Sequence, residues 1–136
     1  MPLPNQAIRT QSFSSSRQLL PGDWAQSVVD AAYSFQTLAA VAPPSQATAA
    51  PVNATSIELT SSAAAGVLLP PSFPGAEFAM LNPSANTVTV YGTGADVIQN
   101  ATTTYAAAAT GVDIVTLRSY IFRCIKQGFW QRVLTS

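Results

Sequence analysis

The spacing of apolar positions along this 136-residue chain changes twice. Residues 1–22 show neither a helical nor a strand period. Pro2, Pro4 and Pro21, with Ser-Phe-Ser-Ser-Ser at 12 to 16, predict an extended arm that is ordered only by lying on a partner. Leu3, Ile8, Phe13, Leu19 and Leu20 are spaced along it as separate anchors, beside Arg9 and Arg17. From Trp24 the texture changes. Trp24, Val28, Ala31, Phe35 and Leu38 recur at 4-3-4-3 spacing, which places them on one stripe of an amphipathic helix over 23–42. Asp23 is a suitable N-cap with Gln26 three residues on, and Pro43 and Pro44 end the pattern. Residues 43–54 hold three prolines among small residues and read as a stiff, extended linker.

From residue 55 the period shortens to two. Runs rich in Val, Ile, Thr, Tyr and Phe predict strands near 56–60, 65–69, 76–82, 87–91, 96–99, 102–107, 112–117, 119–126 and 129–134. Phe78 and Met80 share one face, and so do Val88 and Val90, with the threonines between them facing the other way. Asn82-Pro83-Ser84-Ala85-Asn86 predicts a hairpin between the strands at 76–82 and 87–91. Gln127-Gly128 predicts another at the end of the chain, where a two-residue turn needs positive φ. In the strand at 119–126, Tyr120, Phe122 and Cys124 oppose Ile121, Arg123 and Ile125. Both faces are partly apolar, so both should be covered, by a second sheet or a second subunit. A β-domain of 55–136 buries only roughly 60–65% of its unfolded surface, which makes oligomerisation a natural remedy.

Composition narrows the function classes. Charged residues make up 9% of the chain, hydrophobic residues 48%, and the formal net charge is zero. A surface so poor in charge fits a protein that lies against another protein. It does not fit nucleic-acid binding, which needs clustered cations. Arg118, Arg123, Lys126 and Arg132 do gather near the end with Phe122, Phe129 and Trp130, but this is also the pattern of a half-buried terminal hairpin. No apolar run reaches the roughly 18 residues of a membrane span, so no membrane partner is expected. Met1 to Leu20 lacks the apolar core of a secretory leader, and the Asn-Ala-Thr triplets at Asn53 and Asn100 are read as chance.

Histidine is absent, which removes the commonest general base and most zinc sites. The acidic residues Asp23, Asp30, Glu58, Glu77, Asp96 and Asp113 are scattered singly, and Cys124 stands alone in an apolar run, as a buried thiol would. Gly92-Thr93-Gly94 lacks the further residues of a dinucleotide or phosphate loop and reads as a turn. Trp24 and Trp130 read as packing anchors rather than sugar platforms. No enzyme, cofactor or metal is expected.

The segment from Leu69-Pro70-Pro71 through Gly75 and Glu77-Phe78-Ala79-Met80-Leu81-Asn82, then Thr87-Val88-Thr89-Val90-Tyr91 and Asp96-Val97-Ile98, resembles a β-module of small tailed-bacteriophage virion proteins. Tyr120-Ile121-Phe122-Arg123-Cys124 and Gly128-Phe129-Trp130 resemble its closing strand and hairpin. Arg118, Ser119 and Tyr120 depart from it, standing where the module has a small glycine-containing turn. The resemblance covers residues 65 to 134. It implies a capsid decoration (cement) protein on the outer surface of the virion, bound to the major capsid protein and commonly trimeric. The alternative it implies is a fibre or receptor-binding module that recognises a host glycan.

The expected fold is therefore all-β, a compact barrel or jelly-roll-like sandwich, preceded by the arm and one α-helix. The residues expected to contact the capsid or a neighbouring subunit are Ile8, Arg9, Phe13, Arg17, Trp24, Val28, Phe35 and Leu38.

Overall fold

The computed structural model describes residues 34–101 and 104–135, together with the backbone of two short strands, β1 (Ser12–Ser14) and β2 (Arg17–Gln18). The chain divides into two units, Met1–Ser34 and Phe35–Ser136. In the first, β1 and β2 pair antiparallel.

The second unit is all-β, with no helix among the described residues. Its strands are β3 (Phe35–Ala39), β4 (Ala50–Pro51), β5 (Ser56–Thr60), β6 (Ala65–Leu68), β7 (Glu77–Asn82), β8 (Val88–Tyr91), β9 (Val97–Ala101), β10 (Thr104–Ala106), β11 (Val112–Ile114), β12 (Arg118–Lys126) and β13 (Phe129–Leu134). They form a seven-stranded sheet in the order β10-β9-β13-β12-β7-β5-β3 and a four-stranded sheet in the order β11-β8-β6-β4.

From β3 to β8 the chain changes sheet at every strand. The result is a winding in which β3, β5 and β7 stack in parallel in one sheet, and β4, β6 and β8 stack in parallel in the other. Each step, Phe35 to Ser56 and Ser56 to Ala79, takes roughly 20 residues, a repeat typical of coiled β-architectures. Antiparallel strands then end the winding, β12 against β7 and β11 against β8.

This topology corrects the expected architecture. The two-sheet, all-β class holds, but the sheets do not close into a barrel, and their parallel neighbours are not those of an antiparallel jelly roll. The segment 82–86 is not a hairpin, since β7 and β8 lie in different sheets and the turn carries the chain across. The terminal hairpin does form, with β12 and β13 paired from Tyr120↔Leu134 to Lys126↔Phe129 and Gly128 at φ 86° in the turn.

The helix expected over 23–42 does not continue through its last turns. Phe35–Ala39 is a strand, with Phe35 exposed and Leu38 buried on opposite faces. Pairing with β5 sets a period of two there, and this overrides the helical spacing of the apolar residues. The earlier part of that helix, and the arm's side chains, lie outside the described residues. Residues 43–54 are not a stiff extended spacer: Thr48 N donates to Ser45 O in a turn, Ala50, Val52 and Ala54 are buried, and Val52 N donates to Leu68 O.

The core lies between the sheets. Leu59, Val67, Leu69, Val88, Val90, Ile114, Phe122 and Trp130 are all fully buried there, each contributing on the order of 1.5–3 kcal/mol. One polar side chain sits among them. Asn82 Nδ2 donates to the carbonyls of Asn86 (2.8 Å) and Ile114 (3.0 Å), and its Oδ1 accepts from Ser84 N (3.1 Å) and Ser84 Oγ (2.6 Å). Its own carbonyl accepts from Leu117 N at 2.7 Å. Leu117 has a φ of 59°, unusual for a bulky residue, so Asn82 fastens together the loops at both its ends.

Candidate interaction face

Strand alternation gives the seven-stranded sheet two faces. The inward set, which includes Leu38, Ile57, Leu59, Met80, Phe122, Cys124 and Trp130, meets the smaller sheet. The outward set is covered by no described residue and is mixed, with Thr37, Glu58, Thr60, Ser119, Arg123 and Thr135 lying among apolar side chains. Register places Phe35 beside Ser56, Ser56 beside Ala79, Ala79 beside Ile121, and Ile121 beside Val133, so one largely apolar row crosses five strands. Leu81 and Ile125 flank it. Phe35 is 66% exposed, Ile125 54%, Leu81 40% and Val133 36%. A shallow groove of ≈ 390 Å³ follows the row, lined by Phe35, Ser56, Ala79, Leu81, Ser119 and Ile121 among others. Such a surface is a candidate for contact with another molecule.

Polar groups surround the row without interrupting it. Arg123 Nε donates to Glu77 Oε2 at 2.6 Å across β12 and β7, in an exposed pair worth only about 0–1 kcal/mol to folding. Ser119 Oγ and Thr135 Oγ1 share a hydrogen bond of 2.6 Å on the other side. Arg132 and Lys126 are also engaged within the chain. Arg132 donates to the carbonyls of Asp113 and Asn100 and lies over Tyr120, and Lys126 lies over Phe129.

Of the residues expected at an interface, Phe35 is on this face at its outermost strand. Leu38 is in the core beneath, because strand alternation separates two positions that a helix would have aligned. The side chains of Ile8, Arg9, Phe13, Arg17, Trp24 and Val28 lie outside the described residues. Sequence reasoning did not single out Ala79, Leu81 and Val133. The signal available for them was the two-sided apolar character of 120–125, which marks a face needing cover without saying which neighbouring strands share it.

The other candidate features are structural. Trp130 is fully buried, with its ring 5.7 Å from that of Phe78, so it offers no sugar platform; its Nε1 has no partner among the described residues. Gly92-Thr93-Gly94 forms a turn whose Gly92 and Gly94 carbonyls accept from Gln46 Nε2. A Cβ on Gly92 would come within 2.3 Å of the Asp96 carbonyl oxygen. Cys124 is buried, as expected, and burial pushes its thiol above the ordinary range; burial does the same to the Tyr91 phenol. Among the described residues no cluster of three or more His, Cys, Asp or Glu could hold a metal ion, and no helix is long and apolar enough to cross a membrane. No family model, curated protein or solved structure matches this chain.

Proposed function

We propose that the protein is a non-catalytic structural subunit that docks through the outward face of its seven-stranded sheet onto a protein lattice, the outer surface of a tailed-phage capsid. The observation that carries the docking is the row Phe35, Ser56, Ala79, Ile121, Val133, aligned by strand register and exposed except at Ile121, which is half-buried. Burying such a row yields about 25 cal/mol per Å² of apolar surface. The Arg123–Glu77 pair at its margin is already formed within the chain, and Glu58, which lines the groove, is the carboxylate that a partner must pair or leave in water. The capsid as the docking surface comes from the virion-module resemblance. Two strands of that resemblance, 77–82 and 120–124, supply Ala79 and Ile121 at the centre of the row and Leu81 beside it.

The mechanism is linkage. A subunit that binds the assembled shell and not its separated capsid proteins stabilises the shell by mass action. The test is sedimentation of the protein with undecorated phage shells, wild type against Ile121→Asp. The substituted side chain points outward, so unfolding by denaturant should shift by no more than about 1 kcal/mol, while an unpaired charge in the contact should abolish co-sedimentation. Wild-type protein that stays in the supernatant, or Ile121→Asp protein that still pellets with shells, rejects the reading. Copy number in decorated particles separates a cement protein, present in hundreds, from a fibre tip present in a handful.

A further inference from the structure

The winding begins at an end whose two edges are treated differently. In the four-stranded sheet the edge strand is β4, only two residues long, and Pro51 in it has no N–H to offer. Short length and proline are the usual protections of a sheet edge. In the seven-stranded sheet the edge at the same end is β3, Phe-Gln-Thr-Leu-Ala, with five residues in continuous register and neither charge, proline nor bulge. The opposite edge, β10, has three residues and a register shift.

Hydrogen bonding within the sheet fixes which backbone groups of β3 remain. Ala40 N donates to Thr60 O, and Leu38 stands opposite Leu59 in a parallel ladder. Parallel pairing uses alternate residues, so Gln36 and Leu38 bond to β5. The N–H and C=O groups of Phe35, Thr37 and Ala39 therefore point away from the sheet, with no partner among the described residues. An unpaired row of this kind is a template for another strand.

We propose that this edge pairs with β3 of a second copy, antiparallel, about a two-fold axis through Thr37. The strand is self-complementary in that register. Thr37 stands beside the partner's Thr37 and Phe35 beside the partner's Ala39, and each outward N–H meets an outward carbonyl. Phe35, 66% exposed, lies over the partner's Ala39. The absence of charge in β3 means that no like charges meet across the axis. The contact is isologous and closes at two, whereas joining β3 to the far end of another copy would build an open filament. Because the axis stands perpendicular to the sheet, both outward faces point the same way, and the two apolar rows become one surface. The pairing does not depend on what that surface binds.

The test is sedimentation equilibrium on the full chain, wild type against Thr37→Lys and Thr37→Pro, with far-UV circular dichroism as the check on folding. Wild type should be dimeric. Lysine sets two like charges side by side at the axis. Proline removes an outward N–H that the chain itself does not use. Each should raise the dimer dissociation constant roughly tenfold or more and leave the spectrum unchanged; if Thr37→Pro disturbs the strand, Thr37→Lys decides. Ile121→Asp, on the face rather than the edge, should remain dimeric, which keeps this test apart from that of shell docking. A wild-type monomer or trimer, Thr37 variants that dimerise like wild type, or a dimer lost through Ile121→Asp but not through Thr37→Lys, each overturns the proposal.

Discussion

Strand β12 carries apolar residues on both faces, yet the two faces have different surroundings. Inward, Phe122 and Cys124 lie against the smaller sheet, beside Trp130 of β13, and water is excluded from them. Outward, Ile121 and Ile125 have comparable hydrophobicity and remain accessible, with Arg123 between them tied to Glu77. The side chains alone do not distinguish a folding surface from a binding surface here. The distinction comes from whether the same chain supplies a second layer. Where it does, apolar area becomes stability; where it does not, the same area is available to a partner.

The comparison breaks if the inward face proves dispensable. Trp130→Ala removes the largest fully buried side chain among the described residues and should lower the free energy of unfolding by about 3–5 kcal/mol, read from the denaturant midpoint. A loss as small as that expected for an outward substitution would mean that the two sheets are not packed as described. Asn82→Ala sharpens the contrast from the polar side. It takes the side-chain donor from the Ile114 carbonyl and the acceptor from Ser84 N, leaving the Asn86 carbonyl with the Ser84 hydroxyl alone. A destabilisation of about 2–3 kcal/mol is expected in chemical denaturation, together with earlier proteolytic cleavage in the loops at 83–86 and 115–117, which Asn82 holds.

The smallest effect concerns pH. The Cys124 thiol, raised by burial, keeps its proton in the folded chain at pH values where the unfolded chain, near the ordinary 9.0, has lost it. The folded state then binds more protons than the unfolded state. The thiol's contribution is intact below about pH 9 and is lost as the pH climbs toward the raised folded value. Tyr91 adds a decline of the same sign above its ordinary 10.0. Melting temperature should therefore fall as the pH rises past 9, and Cys124→Ala should flatten the first part of that fall. An unaltered alkaline profile in the variant would mean that the thiol is not held in the protonated form.

Much of the strand content was legible in the sequence, because alternation over five or more residues is a local signal. The strands at 56–60 and 129–134 fall where the pattern places them, and those at 65–68, 77–82 and 118–126 differ only at their ends. The sheet to which each strand belongs was not legible. Val88 and Val90 alternate in the same way whether β8 pairs with its predecessor or crosses to another layer, so a turn-rich connector was read as a hairpin. Strand β3 was hidden for a related reason. Phe35 and Leu38 are three apart, a helical interval in isolation, and only the parallel pairing with β5 sets them on opposite faces. The outward face was half legible. Its apolar character in 120–125 could be read directly, but its extent depends on register across five strands, which no single segment carries.

The alternating winding also sets the order in which the chain can fold. In the coils from β3 to β8, every strand pairs with one roughly 20 residues away in sequence, so each contact must first close a loop of that size. The β12–β13 hairpin needs only its turn at Gly128, and can form on a microsecond timescale. A local hairpin at the C-terminal end, followed by slow non-local closure of the coils onto β12, places this domain among the slower folders for its size. Closure that grows outward from β12 would take in β7 first, its antiparallel neighbour, and β3, at the edge of the sheet, last.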